Sequence, residues 1–227
     1  MTMNKSLSDI ILNSGDNDAK NEDDQLEPLS DEIDLIIDPK IKSFVKSVLL
    51  RASPFWASAS SVNAPEAHPP DEDKPGGLVL HTKRVVRAVR LLMQTYDYST
   101  SDRDNMIAAA LLHDCTKAIW ANDERTEIVH DILHPYTLDT FIEWCIGEDT
   151  IHADSSRYHT LDISIDTIQS ILRLVRCSHG PWSPIPETIP VTSTEKLLHI
   201  ADLLASNIHN VIDGPVPQEY RWIPPSS

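Results

Sequence analysis

The chain has 227 residues, 35 of them Asp or Glu against 19 Lys or Arg, for a formal net charge of −16. An acidic excess of that size opposes tight, sequence-independent binding to long nucleic acid, which needs clustered cations to displace counterions. A hydrophobic content of 41% suits one folded domain, and no stretch approaches the ~20 apolar residues of a spanning helix, so a soluble protein away from membranes is expected.

Residues 1–32 hold nine acidic residues against two lysines and almost no aromatic side chain. Such a segment buries too little apolar surface to offset its ordering entropy, and an acidic, disordered tail is expected there, with one short apolar patch at residues 7–12. Nothing in the first 20 residues reads as a secretion signal, which points to the cytoplasm. The folded domain is expected over residues 33–212. It opens with an amphipathic stripe of Ile36, Ile37, Ile41, Phe44, Val45, Val48 and Leu49, interrupted at Pro39. A long loop rich in Pro, Ser and acidic residues follows over 52–75, and loops of that length are usually functional. Its one candidate for the site is His68.

From His81, the residues Val85, Val86, Val89, Leu92 and Met93 recur at helical spacing. Further helices are predicted over 102–119, 137–146, 163–177 and 193–212, with a polar loop at 121–135. The last helix has Thr192 three residues before Glu195, a capping-box spacing. Few runs favour β-structure, so the expected fold is all-α, a compact helical bundle. Residues 213–227, with four prolines, form a tail that cannot extend the last helix past Pro215. Cys115, Cys145 and Cys177 are odd in number, lack metal-type spacing and sit in apolar contexts, as buried free thiols of a reducing compartment do.

The chemistry is concentrated in a few polar residues within apolar surroundings. His113 and Asp114 end the run Met106-Ile107-Ala108-Ala109-Ala110-Leu111-Leu112, which is apolar all round. His81 and Asp202 interrupt two other apolar helical stretches. A single buried His or Asp is most often a hydrogen-bonded core group. Two imidazoles and two carboxylates together supply the ligand set of one divalent cation, which satisfies all of them at once. A mixed nitrogen and oxygen shell suits Mn²⁺, Fe²⁺, Zn²⁺, Co²⁺ or Ni²⁺ better than Mg²⁺.

In order and spacing these residues resemble the HD superfamily of metal-dependent phosphohydrolases over residues 54–209. Gly76-Gly77-Leu78-Val79-Leu80-His81 resembles the entry to that family's first ligand helix, and His113-Asp114-Cys115-Thr116-Lys117 its HDxxK segment. His134-Pro135 falls where many members place a further histidine. Ser178-His179-Gly180 and His199-Ile200-Ala201-Asp202 are similar to the HHG segment and the final aspartate helix. The detail at Gly76-Gly77 and at Ser178-His179-Gly180 is closest to the HD domain attached to bacterial 3′-to-5′ exoribonucleases.

The resemblance implies that His81, His113, Asp114 and Asp202 hold a first metal. It implies roles for His134 and His179 as ligands of a second metal bridged by Asp114, or as proton-transfer groups. Lys117 is expected to neutralise a phosphate oxygen, and Asp114, Lys117, His134 and His179 form the implied catalytic set. Ser178 departs from the family pattern, because it replaces an imidazole of the second metal's shell with a hydroxyl. His130 is the alternative to His134, His199 a group that orients Asp202, and Arg173 and Arg176 lie near the implied site. The implied activity is hydrolysis of a small phosphorylated substrate, a nucleotide or related metabolite. The alternatives are exonuclease or phosphodiesterase action on short oligonucleotides, a nucleotide-binding regulatory module without hydrolysis, and oxygenase chemistry at a di-iron pair.

Overall fold

The computed structural model describes residues 22–60, 68–120, 128–130, 134–151, 163–183 and 185–206. Two short helices come first, α1 (Glu22–Leu26) and α2 (Ser30–Ile33), on either side of a 3-10 turn at Glu27–Leu29. Residues 22–32, expected to belong to a disordered acidic tail, are therefore helical instead, and Leu26 and Leu29 in them are buried. Their charges are held at the rim. Lys83 Nζ donates to the Pro28 carbonyl at 2.8 Å and lies 3.7 Å from Glu32 Oε2, so a few well-placed contacts order a segment whose composition argues for disorder. Residues 1–21, including the apolar patch at 7–12, lie outside the described part.

Side-chain caps set the later helix starts. Asp38 accepts from the N–H groups of Lys40 at 2.8 Å and Ile41 at 3.4 Å, and Pro39 at the first helical position opens α3 (Pro39–Arg51). The stripe read from the sequence faces inward, with Ile41, Phe44, Val45, Val48 and Leu49 buried, while Ile37 is exposed. The expected loop 52–75 carries a helical turn, α4 (Ser53–Ala57), and a 3-10 turn at Pro70–Glu72, with 61–67 outside the described residues. Next come α5 (Gly77–Leu92) and α6 (Thr100–Leu112), the latter capped by Ser99, whose Oγ accepts from Asp102 N at 3.1 Å.

The predicted helix over 102–119 is too long by seven residues. Past Leu112 the chain turns through His113–Lys117 and enters a short strand, β1 (Ala118–Trp120), paired antiparallel with β2 (Ile128–His130). This two-stranded ribbon is the one sheet among the described residues; its β-branched and aromatic composition suits extended chain. Three helices complete the described chain: α7 (His134–Ile151), α8 (Ile165–Arg176) and α9 (Ser193–Ser206). Residues 207–212 of the last predicted helix and the 213–227 tail lie outside the described part.

The all-α expectation holds. From Met106 to Leu112 α6 is buried on every side and forms the axis of the core, with α3, α5 and α8 packed around the helix, and α9 lying chiefly against α5. Asp104, a buried carboxylate on α6, accepts from Ile37 N at 3.1 Å and Asp38 N at 2.7 Å and ties the approach to α3 onto that axis. All three cysteines are buried free thiols. No described helix is long and apolar enough to cross a membrane.

The capping box at α9 is formed. Glu195 N donates to Thr192 Oγ1 at 3.3 Å, and Glu195 Oε2 accepts from Thr192 N at 3.0 Å and Val191 N at 2.6 Å. Arg173 Nε on α8 donates to Glu195 Oε1 at 2.8 Å. Burial opposes ionisation of Glu195, but these donors outweigh it and bring its pKa down to about 2. A depressed carboxylate contributes stability that is complete above its unfolded pKa and lost as pH falls through the folded one. Glu195→Gln is therefore expected to cost roughly 1–2 kcal/mol at pH 7, a gap that narrows below pH ~4.5. Urea midpoints of both proteins at pH 7 and pH 3 check this; a pH-independent gap would count against the ionised cap.

Candidate metal centre

Two glycines place the first histidine. Gly76 caps α5 in the left-handed region at φ 81°, and Gly77 has no room for a side chain, since a Cβ there would lie 1.8 Å from the Glu72 carbonyl oxygen. One turn on, His81 is fully buried. His113 and Asp114 are delivered by the turn that ends α6, not by the helix itself, and Asp202 comes from α9. Two helices and a turn thus converge where three helices were expected.

Their donor atoms meet closely. His81 Nε2 lies 3.1 Å from Asp202 Oδ1 and 3.9 Å from Asp114 Oδ2, and His113 Nε2 lies 3.6 Å from Asp114 Oδ2 and 3.8 Å from Asp202 Oδ1. Donors held at ~2.1 Å by one ion stand roughly 3.0 to 3.4 Å apart in octahedral or tetrahedral shells, so small side-chain adjustments close this set on a cation. His81, His113 and Asp202 offer one ligand atom each, all within 4.8 Å of one another, and Asp114 flanks them.

Chemistry favours the same reading. The Nδ1 atom of His113 lies 2.8 Å from the Ala110 carbonyl, which can only accept, so Nδ1 carries the proton. The remaining nitrogen, Nε2, is buried, has no hydrogen-bond partner, and presents its lone pair to the cluster. Burial holds the His113 pKa down, keeping the ring neutral as a ligand must be. A group this costly to leave unsatisfied fits a metal.

His81 behaves differently. Burial opposes its protonation, but the hydrogen bond from Nε2 to Asp202, the Glu72 carboxylate 3.4 Å from Nδ1 and the negative charges of Asp202 and Asp114 prevail and push its pKa up to about 9. Burial likewise opposes ionisation of Asp114 and Asp202. For Asp114 the neighbouring Lys117 ammonium outweighs it, for Asp202 the hydrogen bond from His81 does, and both carboxyls stay well below the usual range. A proton on His81 thus occupies the place in the charge balance that a cation would take.

The remaining site candidates fall around this centre. Lys117 Nζ is 3.0 Å from Asp114 Oδ2, and His134, the first residue of α7, has Nε2 2.8 Å from Asp114 Oδ1. His179 stacks edge-on against His134 with ring centroids 5.0 Å apart, and burial lowers its pKa to about 4. Among the described residues, the two groups able to hold a metal include neither His134 nor His179. Ser178 Oγ is buried without a hydrogen-bond partner.

His199 does not orient Asp202 as expected. Its Nδ1 bonds the Ser178 carbonyl at 2.7 Å, and its ring fills the space beside Gly180, whose φ is 58°, so it shapes the turn carrying His179. Arg173 is bound to Glu195 and the Glu187 carbonyl, and Arg176 pairs with Asp139, so both are engaged with the protein. The side chain of His130 lies outside the described part. His68 approaches the centre through Glu72, with Nδ1 3.0 Å from Glu72 Oε2 and its ring edge-on to His81 at 4.9 Å. Glu72, fully buried beside His81, was missed by sequence reasoning; an acid in a Pro-rich loop carries no periodic signal.

No family model, curated protein or solved structure matches this chain.

The raised His81 pKa gives a linkage prediction. In the metal-free protein its contribution to stability is complete below pH 6.5 and lost as pH rises through about 9. Binding of Zn²⁺ or Mn²⁺ at pH 7.5 is expected to release about one proton, with affinity rising toward pH 9. Calorimetric titration in buffers of different ionisation enthalpy counts that proton; binding without release would exclude His81 as a ligand.

Proposed function

We propose that this protein is a metal-dependent phosphohydrolase of the HD superfamily type, acting on a small phosphorylated substrate such as a nucleotide. The observation that carries the reading is the buried, unpartnered Nε2 of His113 facing His81, Asp114 and Asp202. These four residues would hold a divalent transition ion, Mn²⁺, Fe²⁺, Zn²⁺, Co²⁺ or Ni²⁺. When bound, such an ion supplies acidified water and neutralises charge on a phosphoryl group.

The chain's own residues account for the rest. In hydrolysis of a phosphate ester, water adds to phosphorus, the P–O ester bond breaks and the leaving oxygen takes up a proton. Lys117, 3.0 Å from Asp114, brings a positive charge to the edge of the ligand set, where a phosphate oxygen needs it. His179, held neutral at pH 7 by burial, and His134, whose Nε2 lies 2.8 Å from Asp114 Oδ1, stand beside the ligand set as the proton-transfer groups of this reading. With His134 and His179 in these roles the reading requires one ion. Arg173 and Arg176 are committed to protein carboxylates and give no basic track. Together with the overall charge of −16, this favours a small phosphate ester over a long polynucleotide.

One observation favours a second reading, a regulatory module that binds a nucleotide without cleaving it. Ser178 stands where the resembling family has an imidazole, and its buried hydroxyl makes no hydrogen bond.

Phosphate release with Mn²⁺ across nucleoside mono- and triphosphates, cyclic dinucleotides, alarmones and short oligonucleotides tests both. Turnover of one class is expected, reduced more than about a hundredfold in Asp114→Ala. Tight binding of a nucleotide recovered intact would favour the regulatory module, and activity that survives Asp114→Ala without bound metal would exclude the hydrolase.

A further inference from the structure

Glu72 is buried completely and approaches the metal centre from the side opposite the ligand cluster. Its backbone is fixed on every side. The N–H donates to Pro69 O at 2.9 Å, the carbonyl accepts from Ser60 N at 3.1 Å and Ser60 Oγ at 3.4 Å, and Gly77 packs directly against it. Arg84, one turn beyond His81 on α5, binds Glu72 Oε1 and is itself held by Asp71 Oδ2 at 2.6 Å. Glu72 Oε2 receives His68 Nδ1 at 3.0 Å and faces His81 Nδ1 at 3.4 Å. A buried carboxylate placed this rigidly is costly unless its position matters.

The two ring nitrogens of His81 face different partners, Nε2 toward Asp202 and the cluster, Nδ1 toward Glu72. An imidazole that gives Nε2 to a cation must keep its proton on Nδ1, and that proton needs an acceptor. For His113 the acceptor is the Ala110 carbonyl. The Nδ1 atom of His81 has no well-aligned hydrogen bond, and Glu72 Oε2 at 3.4 Å is the carboxylate positioned to supply one.

Resting on the metal reading above, we infer that Glu72 is a positioning residue of the metal centre: it accepts the Nδ1 proton of His81 and so aims the Nε2 lone pair at the cation. A charged acceptor also makes His81 a stronger donor to the metal than a neutral carbonyl would. His68, Glu72 and His81 have ligand atoms within 4.8 Å of one another, which alone would suit a second cation. Arg84 on Glu72 settles the choice, because that carboxylate already has a positive partner and a divalent ion would face the guanidinium. His68 and Arg84 hold the carboxylate in place, so the loop before α5 acts on the metal through Glu72.

The test measures Mn²⁺ affinity of the full-length wild type, Glu72→Gln and Leu49→Ala, the last a core change on α3, a helix that supplies none of the ligand residues. Glu72→Gln is expected to bind 10–100-fold more weakly, while Leu49→Ala, though less stable, stays within about twofold of the wild type. In parallel, ¹⁵N NMR of the Zn²⁺-loaded wild type, with His81 assigned by its loss in His81→Asn, reads which ring nitrogen carries the proton. A protonated Nδ1 with a downfield hydrogen is expected. Unchanged affinity in Glu72→Gln, or a proton on Nε2 of His81, overturns the inference and leaves the metal reading standing. If Glu72→Gln does not fold, the wild-type spectrum decides. A wild type that binds neither ion overturns both.

Discussion

One nitrogen of His113 is committed to the Ala110 carbonyl, and the other lies buried without a partner among His81, Asp114 and Asp202. Leaving polar atoms and charges in such a place is unfavourable by several kcal/mol unless they satisfy one another. Much of the architecture serves that condition. The second half of α6, Met106–Leu112, is apolar all round because it runs through the core to deliver His113, and the helix stops at Leu112 so that the following turn can bring Asp114 to the same point. The α5 and α9 helices, the most extensively packed pair, bring His81 and Asp202 together from 121 residues apart.

Around this centre the charges are layered. His81 is pressed between carboxylates on both sides, Asp202 at Nε2 and Glu72 at Nδ1, and its raised pKa reports that pressure. Asp114 divides its two oxygens, Oδ2 toward the histidines and Lys117, Oδ1 toward His134. In the outer layer Arg84 and Arg173 neutralise Glu72 and Glu195, and each of those carboxylates fixes an element that carries a site residue: the loop before α5, and the start of α9. The balance is local. A protein with a large acidic excess keeps its buried acids compensated one by one.

That layering also accounts for the chemistry the site can support. A neutral imidazole, two ionised carboxylates and a second histidine form a group that could hold a metal ion, with one lysine at its edge. Arg84, Arg173 and Arg176 are each committed to a protein carboxylate.

Much of this was legible in the sequence. The apolar periodicities marked the core faces of α3, α5 and α9, the Thr192–Glu195 spacing marked a capping box that forms, and His81, His113 and Asp202 stood out as polar interruptions of apolar helices. Those signals are local, set by helical periodicity and by the cost of burying an unsatisfied group. What the tertiary structure decided depends on partners far apart in the chain. Residues 22–33 fold because Leu26, Leu29 and Lys83 find contacts that composition does not register. His199 serves the turn at Ser178 and not the carboxylate one turn away, because the chain brings that carbonyl to its Nδ1. Glu72 is an unremarkable acid in its loop until Gly77 and Arg84 close around it. Periodicity tells which way a side chain faces; only the packed chain brings two side chains within 3 Å of each other.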